Sequence, residues 1–233
     1  MNASACAAKG GISQSGLCND TNNMQCCSCA TCMDAANCSA QGGVPYAAVL
    51  DITLTNGILT DLADIFRDAG LTVFEVEHWK THGRGVMNSV KSILIHHTAG
   101  PATGNFPSLI VVRDGREDLA GLLSQLGLGR NGKWYVIAAG RSNHAGKTID
   151  DNIFGNSNAS GIEAEGTGIP STDTGHASWP DVQYQSYVQG VKALRIAYDV
   201  PTLRVLGHTE VAAPIGCKQD PNFSIDEFCA ALG

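Results

Sequence analysis

The sequence predicts an α/β fold built in layers, preceded by a small cysteine-rich segment, and two observations carry that reading. From about Tyr46 onward, strand-like and helix-like apolar patterns alternate without an internal repeat, which suits helices laid over a sheet. Before that point the composition differs. Cys6, Cys18, Cys26, Cys27, Cys29, Cys32 and Cys38 fall in the first 38 residues, among Gly, Ser, Asn and Ala. Such a stretch is too poor in large apolar side chains to build a core without cross-links or metal. The boundary falls at Gly43 to Tyr46, giving a cysteine-rich segment over residues 1–45 and a main domain over 46–233.

Each element follows from local pattern. Ile58, Leu62, Ile65 and Phe66 recur at helical spacing, and Gly70 stands where a left-handed cap would end the helix. Leu71 to Val76 reads as a strand, and Ser92 to His97 (SILIHH) as a second whose unbroken apolar run suits a buried position. Ser108 to Val112 reads as another strand. Arg130-Asn131-Gly132 is a turn signal, followed by a strand from Trp134 to Ala139, and Trp134 and Tyr135 are read as core rather than sugar platforms. Tyr184, Tyr187, Val188, Val191, Leu194 and Tyr198 form one stripe of a long helix opened by Pro180 and closed by Pro201. A short strand from Arg204 to Leu206 leads into Gly207 and His208, and Ser224-Ile225-Asp226-Glu227 is a capping box that starts a last helix.

Composition excludes several classes of function. The 233 residues, 43% hydrophobic and 16% charged, rule out a disordered or collagen-like chain. Fifteen Lys and Arg against twenty-two Asp and Glu leave a net charge of -7, so no overall basic footprint invites nucleic acid or an anionic membrane. No apolar run approaches the roughly 18 residues of a membrane span, and Met1 to Gly11 lack the basic-then-apolar order of a secretory signal. A soluble monomer made without a signal peptide is expected.

The chemistry points to histidines at strand ends. His96 and His97 are adjacent on one strand and therefore face opposite ways. His208 is followed by Lys218-Gln219-Asp220-Pro221, which brings a carboxylate and an ammonium together. Two imidazoles and one carboxylate suit an open zinc site, because three protein ligands leave the fourth tetrahedral position for water, whose pKa the metal lowers to roughly 7.

Four motifs in order then carry a family resemblance: Ser92-Ile-Leu-Ile-His-His-Thr-Ala-Gly100, Ala139-Gly-Arg-Ser-Asn-His-Ala-Gly146, Gly161-Ile-Glu-Ala-Glu-Gly166, and Gly207-His208 through Lys218-Gln-Asp-Pro221. Together they resemble the zinc-dependent N-acetylmuramoyl-L-alanine amidases. The stretch from about Leu59 to Pro221, including Trp79 to Gly85 and Pro107 to Arg116, is similar to the amidase domains of actinobacteriophage endolysins. The resemblance implies a central mixed β-sheet flanked by helices, with zinc in a groove over one face. It implies bacterial peptidoglycan as the partner, with the enzyme made in the host cytoplasm and acting on the wall after release.

Residue by residue, the resemblance assigns zinc to His96, His208 and Asp220 and excludes His97 as a ligand. It matches the family's essential glutamate to Glu163 and its lysine to Lys218. Glu163 would move the water's proton and Lys218 would stabilise the negative oxygen of the tetrahedral intermediate. His97 and His144 are candidate substrate contacts, with a structural role in fixing its loop as the alternative for His144.

Alternatives stay open at several positions. Glu163 and Glu165 share one face by strand alternation, and motif position favours Glu163. Lys218 by itself reads as solvated or paired with Asp220. Cys217 stands where related amidases commonly carry arginine; it is a possible zinc ligand, a buried thiol or the disulfide partner of Cys229, and Asp220 is favoured as the ligand. In the N-terminal cluster, disulfides are favoured over a structural zinc. Two other functions remain: a recognition protein that binds muropeptide without cutting it, whose usual mark, a lost metal ligand, is missing, and a cysteine peptidase in the first segment, which lacks a convincing Cys and His pair.

Overall fold

The computed structural model describes residues 57–233, so the cysteine-rich segment and its boundary at residues 43–46 lie outside the described residues. The helices are α1 (Leu62–Asp68), α2 (Leu109–Asp114), α3 (Asp151–Phe154), α4 (Asp181–Tyr198), α5 (His208–Val211) and α6 (Ile225–Leu232). The strands are β1 (Val73–Glu75), β2 (Ser92–His97), β3 (Gly115–Arg116), β4 (Leu119–Ala120), β5 (Leu126–Leu128), β6 (Trp134–Val136), β7 (Ala159–Ala164) and β8 (Val205–Gly207).

Six strands form one mixed sheet in the order β1-β6-β5-β7-β2-β8, and β3 pairs with β4 in a separate hairpin. Only the β5–β6 pairing in the large sheet is antiparallel. From the middle of the sheet to one side, β5, β7, β2 and β8 run parallel, so these strands deliver their C-terminal ends together, where α/β sheets bind ligands.

The long helix α4 builds the core as its stripe anticipates. Tyr184, Tyr187, Val191 and Leu194 are buried, and they join Ile93, Ile95, Ile162 and Ala164 from β2 and β7 in the main cluster. Trp134 is fully buried against Phe66, with ring centroids 4.2 Å apart, as its core reading requires. Its indole also leaves no room on α4 for a side chain at Gly190, where a Cβ would stand 2.1 Å from Trp134 Cζ2. The Tyr187 hydroxyl ties helix to sheet: it accepts from the His96 N–H at 3.3 Å and faces the Ile162 and His96 carbonyls at 3.1 and 3.2 Å.

One element departs from the sequence reading. Ser108 to Val112 is not a strand: Leu109–Asp114 is helical. The apolar run suggests a strand, but Ile110 is 63% exposed, and of the four apolar residues only Val112 is buried. What decides the local structure is distant in sequence. The Glu165 carboxylate accepts from the Ser108 N–H (2.9 Å) and hydroxyl (3.1 Å), placing negative charge at the start of the helix, which favours it.

Candidate metal centre

Three neighbouring strands bring the site together. Glu163 on β7 is the register partner of His96 on β2, and Ile95 pairs with Gly207, the last residue of β8, so His208 emerges beside His96. Asp220 arrives from a loop fastened at the same place, where the Thr209 N–H donates to the Asp220 carbonyl at 2.9 Å.

The geometry converges on one point. His96 Nδ1 lies 2.9 Å and His208 Nδ1 3.1 Å from the same oxygen, Asp220 Oδ2. One ligand atom from each residue lies within 4.8 Å of the others, so His96, His208 and Asp220 could hold a metal ion. Both histidines are buried, at 1% and 5% exposure, and Asp220 is half-buried. Burial alone would push the Asp220 carboxyl up. Hydrogen bonds to His208 and His96 overcome that and hold it well below the usual carboxylate range. For His96 burial dominates and pulls the imidazole down despite the neighbouring Asp220. A neutral imidazole at His96 and an ionised carboxylate at Asp220 are protonation states that suit a metal.

The donor set also fits zinc in its surroundings. Each histidine presents Nδ1 inward while Nε2 faces a partner behind it: His144 Nδ1 at 3.2 Å for His96, and the Ala145 carbonyl at 3.2 Å for His208. Nitrogen and oxygen donors oriented by an outer ring of hydrogen bonds are the usual construction of a zinc site.

The two glutamates separate clearly. Glu165 is buried past the end of β7, its Oε1 accepting from Thr98 Oγ1 (2.8 Å) and Ser108 Oγ (3.1 Å) and its Oε2 from the Ser108 N–H. That carboxylate organises loops. Glu163 Oε2 is buried with no hydrogen-bond partner. Burial, followed by the charge of Asp220, pushes the Glu163 carboxyl well above its ordinary value, while Lys218 works in the opposite direction. Lys218 itself is exposed on the loop before Asp220.

The other candidates occupy distinct places. His144 is buried, with Nε2 3.1 Å from the Ala159 carbonyl and Nδ1 facing His96, so both ring nitrogens are engaged and neither is free for substrate. His97 is half-buried and packs against Gly166 and Gly168, its Nδ1 without a partner. Cys217 is exposed and lies outside the cluster of possible ligands, and Cys229 is half-buried; both are free thiols, so they do not form a disulfide with each other. Sequence reasoning does not single out Ala145, because a backbone carbonyl has no side-chain signature. Gly161 had a signal in the Gly-Ile-Glu motif, and the reason is steric: a Cβ there would lie 2.4 Å from His144 Cγ.

Comparison with known proteins bears on the same span. A family model described as N-acetylmuramoyl-L-alanine amidase matches residues 86–223, more than half of the chain. No curated protein sequence matches. Among solved structures, the catalytic domain of XlyA is similar at 17% identity and a TM-score of 0.51, over 70% of this chain and 100% of that one. The Ph2119 endolysin from the Thermus scotoductus MAT2119 bacteriophage Ph2119 is similar at 18% identity and a TM-score of 0.52, over 69% and 99%. A mutant endolysin from Bacillus subtilis follows at 16% and 0.50, over 70% and 99%. At such identities the likeness is one of fold: the central mixed sheet flanked by helices.

Proposed function

This chain belongs to the N-acetylmuramoyl-L-alanine amidase family, and from that premise we propose that it is a zinc-dependent hydrolase cutting the amide between N-acetylmuramic acid and L-alanine in peptidoglycan, as a monomeric phage endolysin in host lysis. The observation that carries the reading is the pairing of Glu163, whose Oε2 is buried without a hydrogen-bond partner, with a three-donor cluster that includes its register partner His96. His96, His208 and Asp220 would hold the ion. When bound, zinc supplies a Lewis acid that lowers the pKa of water to roughly 7 and polarises a carbonyl.

The rest is done by side chains of the chain itself. Glu163 takes the proton of the attacking water as the C–O bond forms, then passes it to the L-alanine nitrogen as the C–N bond breaks. Its upward shift by burial moves its basicity toward neutral pH, where a residue that must both accept and return a proton works best. Lys218 supplies positive charge for the oxyanion and favours ionised Glu163. His97, half-buried where it packs against Gly166 and Gly168, is proposed to contact substrate.

Mass spectrometry of digested peptidoglycan tests the reaction. New amino-terminal L-alanine on stem peptides, with intact glycan strands, is expected. Cleavage at another bond would refute the reaction, and binding without cleavage would favour a recognition protein.

A further inference from the structure

We propose that the His144-Ala145 segment fixes the tautomers of both metal-facing imidazoles, with the His144 side chain as a positioning residue for His96 and the Ala145 carbonyl as its counterpart for His208. With an ion held between the two Nδ1 atoms and Asp220 Oδ2, the outer hydrogen bonds allow one assignment of protons. A carbonyl can only accept, so His208, 3.2 Å from the Ala145 oxygen, carries its proton on Nε2 and keeps a lone pair on Nδ1. The Ala159 oxygen, 3.1 Å from His144 Nε2, likewise requires the proton there, which leaves His144 Nδ1 as an acceptor. His96 Nε2, 3.2 Å away, must then be the donor, and His96 also keeps its lone pair on Nδ1. Both Nδ1 atoms face Asp220 Oδ2, and a proton that bonds them to the carboxylate in the metal-free chain is what an ion would displace.

The segment is itself held on both sides. The His144 ring lies over Gly161, where a Cβ would come within 2.4 Å of Cγ and 2.6 Å of Nδ1. The Ala145 N–H donates to Asn156 Oδ1 at 2.8 Å. A two-residue stretch thus orients two ligands from different elements, His96 at the end of β2 and His208 at the start of α5. Without the His144 acceptor, His96 is free to take the other tautomer, with its proton on the nitrogen that must bind metal.

Zinc affinity of the full-length chain, measured by competition with a chromophoric chelator, tests this role. His144→Leu keeps the bulk but removes the acceptor, and is expected to weaken zinc binding about 10–100-fold. His144→Asn, whose amide oxygen reaches the position of Nδ1, is expected to recover most of that loss. The metal-free melting temperature of the Leu variant should stay near wild type, and ¹⁵N NMR of the loaded protein should report Nδ1 coordination of His96 in wild type and a mixture in the variant. Wild-type affinity in His144→Leu would overturn the proposal. Should that variant not fold, Gly161→Ala, which displaces the ring without touching a ligand, carries the same expectation and the same refutation. The role rests on the zinc reading, and the two fail differently: if the wild-type chain takes up no zinc, the metal reading falls, whereas wild-type uptake with unchanged variants sinks only the role of His144.

Discussion

His96 and Glu163 are register partners on adjacent parallel strands, so their side chains leave the same face of the sheet at the same height. Neighbouring strands lie about 4.8 Å apart, and backbone hydrogen bonds rather than a loop set that separation. A proposed base and a proposed metal ligand are therefore held by the stiffest part of the fold, and variants of one should leave the other in place.

Glu163→Gln is expected to bind zinc at wild-type stoichiometry and lose about 10²–10⁴-fold in turnover, because the amide keeps the shape and cannot accept the proton. Elemental analysis of the purified protein alongside a wall-digestion assay checks both halves. Retained cleavage would remove Glu163 from the mechanism.

Asp220→Ala is expected to abolish stoichiometric zinc, since it removes the oxygen on which both histidines converge. Cys217→Ser should leave metal content unchanged, because Cys217 is exposed and outside the cluster. Metal loss in the serine variant would reassign the third ligand.

Glu163 also links function to stability in the metal-free protein. Its carboxyl is raised in the folded state by burial, so folding favours the protonated form. The stability tied to that proton is fully present below the unfolded pKa, about 4.3, and is lost as pH rises through the folded value. At pH 8 the carboxylate has a buried oxygen without a partner, and Glu163→Gln is expected to be more stable than wild type by about 1–3 kcal/mol. The difference should shrink toward pH 4. Asp220, depressed in both proteins, cancels from the comparison. Urea melts after chelation, at the two pH values, decide the sign.

Gly190→Ala tests the core. In an exposed helix the exchange stabilises by roughly 0.5–1 kcal/mol. Here the new methyl would meet the Trp134 indole, which is fixed by a 3.0 Å hydrogen bond from Nε1 to Ser186 Oγ, and a loss of about 1–3 kcal/mol is expected. Thermal melts read the difference, and a gain in stability would show that the indole yields.

Much of this architecture was legible in the linear pattern because it depends on local periodicity. The stripe Tyr184 to Leu194 and the prolines around it define α4, and the run Ser92 to His97 corresponds to β2 residue for residue. Gly70, at φ 76°, takes the left-handed cap its position suggests. Ser108 to Val112 failed because its conformation is set by a carboxylate 57 residues away, which no local window contains.

The sequence by itself determined which residue types are available: the histidines at strand ends, a carboxylate after Lys218, and two glutamates sharing one face. Tertiary structure alone decided which partners each of them meets. Glu165 is spent on Ser108 and Thr98 while Glu163 keeps an unpartnered oxygen, and His144 is turned inward onto Gly161 with both nitrogens engaged. The physical reason is that a side chain's chemistry is written in its formula, whereas its availability depends on which buried partners satisfy its hydrogen bonds, and those partners come from distant parts of the chain.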